Sequence, residues 1–207
     1  NGNLTAFDVT SGSGKKVWWK CDKGEDHEWL TSINSRTIQG SGCPICSGRK
    51  AVLSNSLSTL YPDLTKEWHP TKNGDLKPMD FKPHSGKKVW WKCDKADDHE
   101  WIAKIEDRSK GHGCTICSGH KVVLSNCLST LNPDLSKEWH PTKNGNLTAF
   151  DVTSGSGKKV WWKCDKAGDH VWISPIGDRN NGRGCAMCSG RQVVLSNCLS
   201  TIDPNLA

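Results

Sequence analysis

Short runs of period two and short runs of helical spacing follow one another along the chain, and the same succession returns three times. From Lys15 to Cys21 the residues Val17, Trp19 and Cys21 fall on one face of an extended strand, and Lys16, Trp18 and Lys20 on the other. His27, Trp29, Thr31 and Ile33 repeat the alternation, so the two runs predict a β-hairpin. Pro175, on the opposite face in the third copy, restricts that strand to an edge or a bulge. Further on, Asn55 is placed to cap a short helical turn carrying Leu57 and Leu60. Pro62, Pro133 and Pro204 suit the first position of a second helix, with Asn132 and Asp203 as caps just before it. Leu64 and Trp68 then share one face of that helix. Residues 70–86, rich in Gly, Ser, Lys and Pro, read as a connection between units.

The repetition is explicit. Trp18-Trp19-Lys20-Cys21 returns as Trp90-Trp91-Lys92-Cys93 and as Trp161-Trp162-Lys163-Cys164, at offsets of 72 and 71 residues. The extra residue lies between Arg36 and Cys43, as expected of a loop. Residues 1–23 are identical to residues 144–166, the mark of recent duplication. The expected modules are 1–68, 69–139 and 140–207. The pattern is cut out of phase, which reads as an excerpt of a longer array or as an array with disordered ends.

Composition explains how such small units could fold. Only 34% of residues are apolar and there are three Phe and one Tyr, yet there are 11 Trp and 11 Cys. Units too small to bury enough surface recruit disulfides or metal. An odd cysteine count argues against a simple disulfide framework. Nine of the cysteines recur instead as Cys-x5-His followed by Cys-x2-Cys: Cys21, His27, Cys43, Cys46; Cys93, His99, Cys114, Cys117; and Cys164, His170, Cys185, Cys188. Three thiolates and one imidazole suit tetrahedral zinc, so three Zn2+ ions are expected, one per module. Gly42 and Gly48 flank the first pair and allow the tight turn of a zinc knuckle. A redox Cys-x2-Cys needs no distant Cys and His, an iron–sulfur site usually asks for four cysteines, and catalytic zinc needs an open coordination position. His69 and His140 occur only twice and read as loop or packing residues; His84, His112 and His120 have no counterparts and read as surface positions. Cys127 and Cys198 align with Ser56 and read as buried free thiols.

Trp-Trp-Lys-Cys, His-Glu-Trp, Ile-x-x-Arg and Gly-Cys-Pro-Ile-Cys-Ser-Gly together resemble the bacterial probable zinc-ribbon domain family, a treble-clef zinc finger that occurs in tandem copies. The resemblance covers essentially the whole chain. The second and third copies depart from it at Thr115, Ala186 and Val171, none of them a ligand. It implies small zinc-stabilised α+β modules: a β-hairpin, a zinc knuckle and short helices, as tandem treble-clef or zinc-ribbon-like repeats. It implies no particular activity.

Charge bears on partners. The formal net charge of +6 falls to about +3 once three sites, each with three thiolates and one divalent cation, are counted. Basic and aromatic residues nevertheless alternate on the strand face away from the ligands. Lys16, Trp18 and Lys20, with Arg36, recur as Lys88, Trp90, Lys92 and Arg108, and as Lys159, Trp161, Lys163 and Arg179. Such a face suits phosphate contact and base stacking, making DNA or RNA one candidate partner. The competing reading buries the tryptophan against a neighbouring element. Further copies of the chain, or another protein, are the other candidate partners, in a structural repeat array held by neighbour contacts. No nucleophile–base pair or phosphate loop recurs, and Asp22, Asp94 and Asp165 read as turn residues, so a non-catalytic binding module or scaffold is expected. No stretch approaches the roughly 20 apolar residues of a membrane span. Zinc-thiolate chemistry makes a reducing cytoplasm the default compartment.

Overall fold

The computed structural model of the protein describes residues 1–206. They pack as two compact units, residues 1–92 with 100–112, and residues 93–99 with those from 113 onward. Each contains the same local construction.

In the first unit β1 (Lys16–Lys20) pairs antiparallel with β2 (Glu28–Ser32), placing Trp19 opposite Trp29 and Trp18 opposite Leu30. β3 (Lys88–Lys92) pairs in the same register with β4 (Glu100–Lys104). In the second unit β5 (Lys159–Lys163) pairs with β6 (Val171–Pro175). The expected alternation holds: Val89 and Trp91 are buried while Lys88 is exposed. Pro175 ends β6, an edge strand of its ribbon, so its missing N–H is tolerated.

The second strand is shorter than its pattern suggests. Ile33 does not extend β2; it opens a helix, α1 (Ile33–Thr37), with Ser32 as cap accepting from the Ser35 N–H at 3.2 Å. The equivalents, Ile105–Ser109 and Ile176–Asn180, follow β4 and β6 directly. Ile33, Ile105 and Ile176 are buried, and each arginine three residues later lies on the same helix face.

The helix pair that follows each knuckle is Leu57–Leu60 and Pro62–Lys66 in the first copy, and Leu128–Leu131 and Pro133–Lys137 in the second. Pro62 and Pro133 occupy the first position as expected, and the Asn132 side chain accepts from the Leu135 N–H. The cap of the first helix is Ser56, whose hydroxyl accepts from the Thr59 N–H; Asn55 instead closes the preceding turn by accepting from the Val52 N–H at 2.9 Å. Cys127 is wholly buried at the Ser56 position, whereas Cys198 is only half-buried. Pro204 lies in a turn and begins no helix among the described residues.

Two further expectations are overturned. The helix ends at Lys66, so Trp68 does not share a helical face with Leu64. Residues 67–69 run extended beside β3 instead: the Lys92 N–H donates to the Glu67 carbonyl (2.7 Å) and the His69 N–H to the Trp90 carbonyl (3.1 Å). Trp68 meets Trp91 edge-on, with ring centres 5.5 Å apart. Residues 138–140 do the same on β5, where Trp139 meets Trp162, also at 5.5 Å. Nor are residues 70–86 a plain connection. The Asn73 amide brackets Trp90, donating to its carbonyl at 2.9 Å and accepting from its N–H at 2.8 Å. Asn144 does this for Trp161, and Asn1 for Trp18. The glycine after each asparagine has φ near +57 to +59°, a left-handed turn that other residues adopt only with strain. The Leu57 N–H also donates to the Phe81 carbonyl, tying this segment to the helix pair.

His69 is buried in this arrangement. Its Nδ1 accepts from the Thr71 and Lys72 N–H groups, and its Nε2 donates to Glu100 Oε1 at 2.9 Å. Lys72 first and His69 second hold the Glu100 carboxyl down at about 2. In the third copy Val171 stands in place of that carboxylate. There, loss of solvation, then Lys143 and Lys163, depress His140. Val171→Glu is therefore expected to raise the His140 pKa, as read from its ring proton shifts in an NMR titration; an unmoved midpoint would show that the carboxylate does not reach the ring.

Candidate metal centre

Each centre is assembled from the two ends of its module. The first ligand follows immediately on a strand: Cys21 leaves β1, and its N–H donates to the His27 carbonyl at 3.0 Å, closing the loop that carries the imidazole to the start of β2. The same bond joins Cys93 to His99 and Cys164 to His170. The other two ligands sit on the knuckle. There the Cys46 N–H points at Cys43 Sγ, the Ser47 N–H donates to the Cys43 carbonyl, and Gly48 turns the chain with φ +71°. Gly119 and Gly190 do the same, whereas Gly42 needs no positive φ.

The aspartate before each histidine supports the loop from outside. Asp26 accepts from the Ser54 N–H and hydroxyl, both at 2.8 Å, and Asp98 accepts from both groups of Ser125. Asp169 accepts from the Ser196 N–H at 2.9 Å. Hydrogen bonds from Ser54 and Ser125 hold the Asp26 and Asp98 carboxyls below the usual carboxylate range. Asp22 and Asp94, beside the first cysteine, lie in turns, and Asp165 lies in a bend.

The donor atoms fit zinc. In each group one atom from each of the four residues lies within 4.8 Å of the others. Bonds of about 2.3 Å to sulfur and about 2.0–2.1 Å to nitrogen give tetrahedral edges of about 3.8 Å between sulfurs and about 3.6 Å between sulfur and nitrogen. The sulfur–sulfur edges Cys21–Cys46, Cys93–Cys117 and Cys164–Cys188 are 3.6, 3.7 and 3.7 Å. The sulfur–nitrogen edges run from 3.3 to 3.9 Å, all to the histidine Nδ1. These separations far exceed a disulfide bond of about 2.05 Å. His27, His99 and His170 are buried.

In each group the last cysteine resists ionising among its neighbours. Loss of solvation, then the neighbouring cysteines, push Cys46, Cys117 and Cys188 up to about 11. A divalent cation reverses this by taking the thiolate form, so metal uptake releases protons. Four protein ligands complete the tetrahedral shell, and bound zinc supplies cross-linking of the hairpin to the knuckle.

The remaining residues of interest divide between surface and interior. Lys16, Trp18, Lys20, Lys88, Lys159 and Lys163 are exposed. Trp90, Lys92 and Trp161 are half-buried, with Lys72 Nζ 4.8 Å from the Trp90 ring centre and Lys143 Nζ 4.4 Å from that of Trp161. The arginines are placed differently from expectation. Arg108 and Arg179 are buried, so they are not surface contacts for a nucleic acid. Arg108 lies over both Trp91 and Trp101, at 5.3 and 5.2 Å, donates to the His112 carbonyl and pairs with Glu67. Arg179 lies over Trp162 and Trp172, donates to the Arg183 carbonyl and pairs with Glu138. Arg36 keeps the two ring contacts, over Trp19 and Trp29, and donates to the Ser41 carbonyl at 2.6 Å.

His84, His112 and His120 are exposed, and no helix among the described residues is long and apolar enough to cross a membrane. No curated protein matches the chain. The family described as "Probable Treble clef zinc finger domain" matches residues 1–49, 64–120 and 135–191. Two of these spans open within the Pro62–Lys66 and Pro133–Lys137 helices, and every span carries one Cys-x5-His and at least the first residues of one knuckle. With three hairpin-and-knuckle modules, each built round one Cys3His zinc site, the chain belongs to the treble-clef zinc finger family.

Proposed function

We propose that this chain acts without catalysis, as a zinc-braced repeat scaffold whose copies are joined by the helix pair that follows each knuckle. The observation that supports this reading is the repeated joint. The segment after the first knuckle is tied back to its own copy by the Ser54 N–H on Asp26 and forward to the next by the Leu57 N–H on the Phe81 carbonyl, and the segment after the second does the same through Ser125 on Asp98 and Leu128 on the Val152 carbonyl. Stability in such arrays comes from neighbour interfaces as much as from each unit. The closed zinc shells leave no position for substrate. Small-angle scattering on zinc-loaded chains of increasing copy number tests it. A scaffold adds a constant increment of length per copy, whereas the profile of freely jointed beads would defeat the reading.

A second reading, contact with DNA or RNA, is favoured by the exposed Lys16, Trp18 and Lys20 and by the lysines stationed at Trp90 and Trp161. It predicts binding that weakens steeply with salt and with replacement of Lys16, Lys88 and Lys159. Binding insensitive to both would exclude it.

A further inference from the structure

The loops and second strands of the three hairpins differ in charge. The first copy carries Glu25 and Glu28, the second Asp97 and Glu100, and the third Gly168 and Val171 at the same places. The lysines nearby are kept: Lys20, Lys92 and Lys163 end the first strand, and Lys72 and Lys143 precede it. One knuckle lysine is lost, where Gln192 takes the place of Lys50, but that lysine donates to a main-chain carbonyl, that of Glu28. The third hairpin has thus shed both acids and retained the strand and loop lysines.

In the second copy Glu100 Oε1 meets His69 Nε2 at 2.9 Å and Oε2 pairs with Lys72; in the first, Lys20 Nζ lies 3.5 Å from Glu28 Oε1. The third copy keeps this frame without the acid. The His140 N–H donates to the Trp161 carbonyl at 3.1 Å, and its Nδ1 accepts from the Thr142 and Lys143 N–H groups at 3.3 and 3.2 Å. With Nδ1 an acceptor, the proton of the neutral ring sits on Nε2. Lys143 holds at Trp161 the station that Lys72 holds at Trp90. Lys163 stands directly across the ladder from Val171. Loss of solvation, then Lys143 and Lys163, depress His140, which places both ammonium groups near its ring. Among the described residues none of these three donors has a carboxylate partner, and Glu138, on the same segment, is committed to Arg179. His69 and Lys72 have their counterparts in place as His140 and Lys143, so the difference arises from Val171 itself.

We infer that the third hairpin carries a carboxylate-binding site, formed by His140 Nε2–H, Lys143 and Lys163, which takes from another molecule the group that the second copy supplies as Glu100. Donors aimed at an ionised carboxylate make stronger bonds than neutral pairs do. The imidazole is held by two backbone N–H groups and the Lys143 head by an indole face, so little freedom is lost on binding. The site does not depend on the scaffold reading. Its ligand is defined by chemistry alone, an acidic side chain of a partner protein being the form in which it would arrive.

The test is an NMR titration of the full zinc-loaded chain with sodium acetate at neutral pH, against sodium chloride at equal ionic strength. Acetate is expected to move the His140 ring signals saturably, and chloride is not. Val171→Glu should fill the site from within and remove the acetate response. Lys143→Gln should weaken binding about tenfold, the loss of one charge-assisted bond. Glu100→Val gives the second copy the residue that the third already tolerates, and should confer an acetate response on His69. Mass spectrometry on each variant, with all three metal groups still loaded, separates loss of the site from loss of the fold. A His140 response that is linear and matched by chloride, or that survives Val171→Glu, would overturn the proposal. So would a silent His69 in a fully metallated Glu100→Val chain.

Discussion

Stripping zinc from the full chain with a strong chelator is expected to abolish its far-UV dichroism and protease resistance, with recovery on adding the metal back. Each hairpin is only two strands of five residues, and the helices behind it run to four or five. Isolated two-stranded ribbons and helices this short are marginal in water. Against that weakness, structural zinc in small peptides contributes on the order of 10–16 kcal/mol, which is folding free energy. Intact-mass spectrometry under gentle conditions should show an excess of three zinc ions. Cys117→Ser should reduce it to two, since no ligand is shared between the three groups. Acid should act like the chelator. Protons compete for the thiolates, and the Asp98 carboxylate that braces the His99 loop is ionised more readily in the fold than outside it. The Asp98 contribution is complete above the ordinary carboxylate range, the thiolate contribution only above the ordinary thiol range, and both are lost as pH falls. A metal-free chain that kept native dichroism, or a zinc content unchanged by acid, would contradict this account.

The second large effect is expected at Arg108. Arg108→Ala removes a guanidinium that faces two indole rings, a backbone carbonyl and the Glu67 carboxylate at once. Breaking a buried charge pair costs about 3–5 kcal/mol, and partial exposure of Glu67 places this case near the lower end. Arg108→Lys should rescue little, because an ammonium cannot lie flat between two rings and still reach both oxygens. Arg36→Ala should cost less, since Arg36 is less buried and is paired with no carboxylate among the described residues. Urea unfolding of the zinc-loaded variants measures the order. Equal losses at Arg36 and Arg108 would mean that the carboxylate contributes nothing.

The ligands, the hairpin and the prolines that open two of the helices were legible in the sequence because each depends on spacing within a few residues or on a threefold repeat. The arginines were misread for the opposite reason. A basic residue near exposed lysines looks like surface, and only a partner 41 positions earlier makes it interior. Trp68 looked helical because four-residue spacing from Leu64 is a local rule, whereas its actual course is set by bonds to Lys92 and Trp90. Nothing in the local pattern announces Asn73. Its recurrence as Asn-Gly in all three copies was the available signal, and it reads as an ordinary turn until the strand it brackets is known. Ile33 ended its strand early because burial is satisfied equally well at the first position of a helix.

The repeated pairing of a Glu-Trp segment with its hairpin bears on how such a gene can change. Glu67 and Glu138 present the same face, and Arg108 and Arg179 receive it in the same way. Excising residues 69–139 would bring Glu67-Trp68 directly before His140, where Arg179 and Trp162 await the same two side chains. Unequal crossing-over between copies would therefore leave no orphaned charge and no mismatched seam, and array length would be free to drift while every junction stays sound.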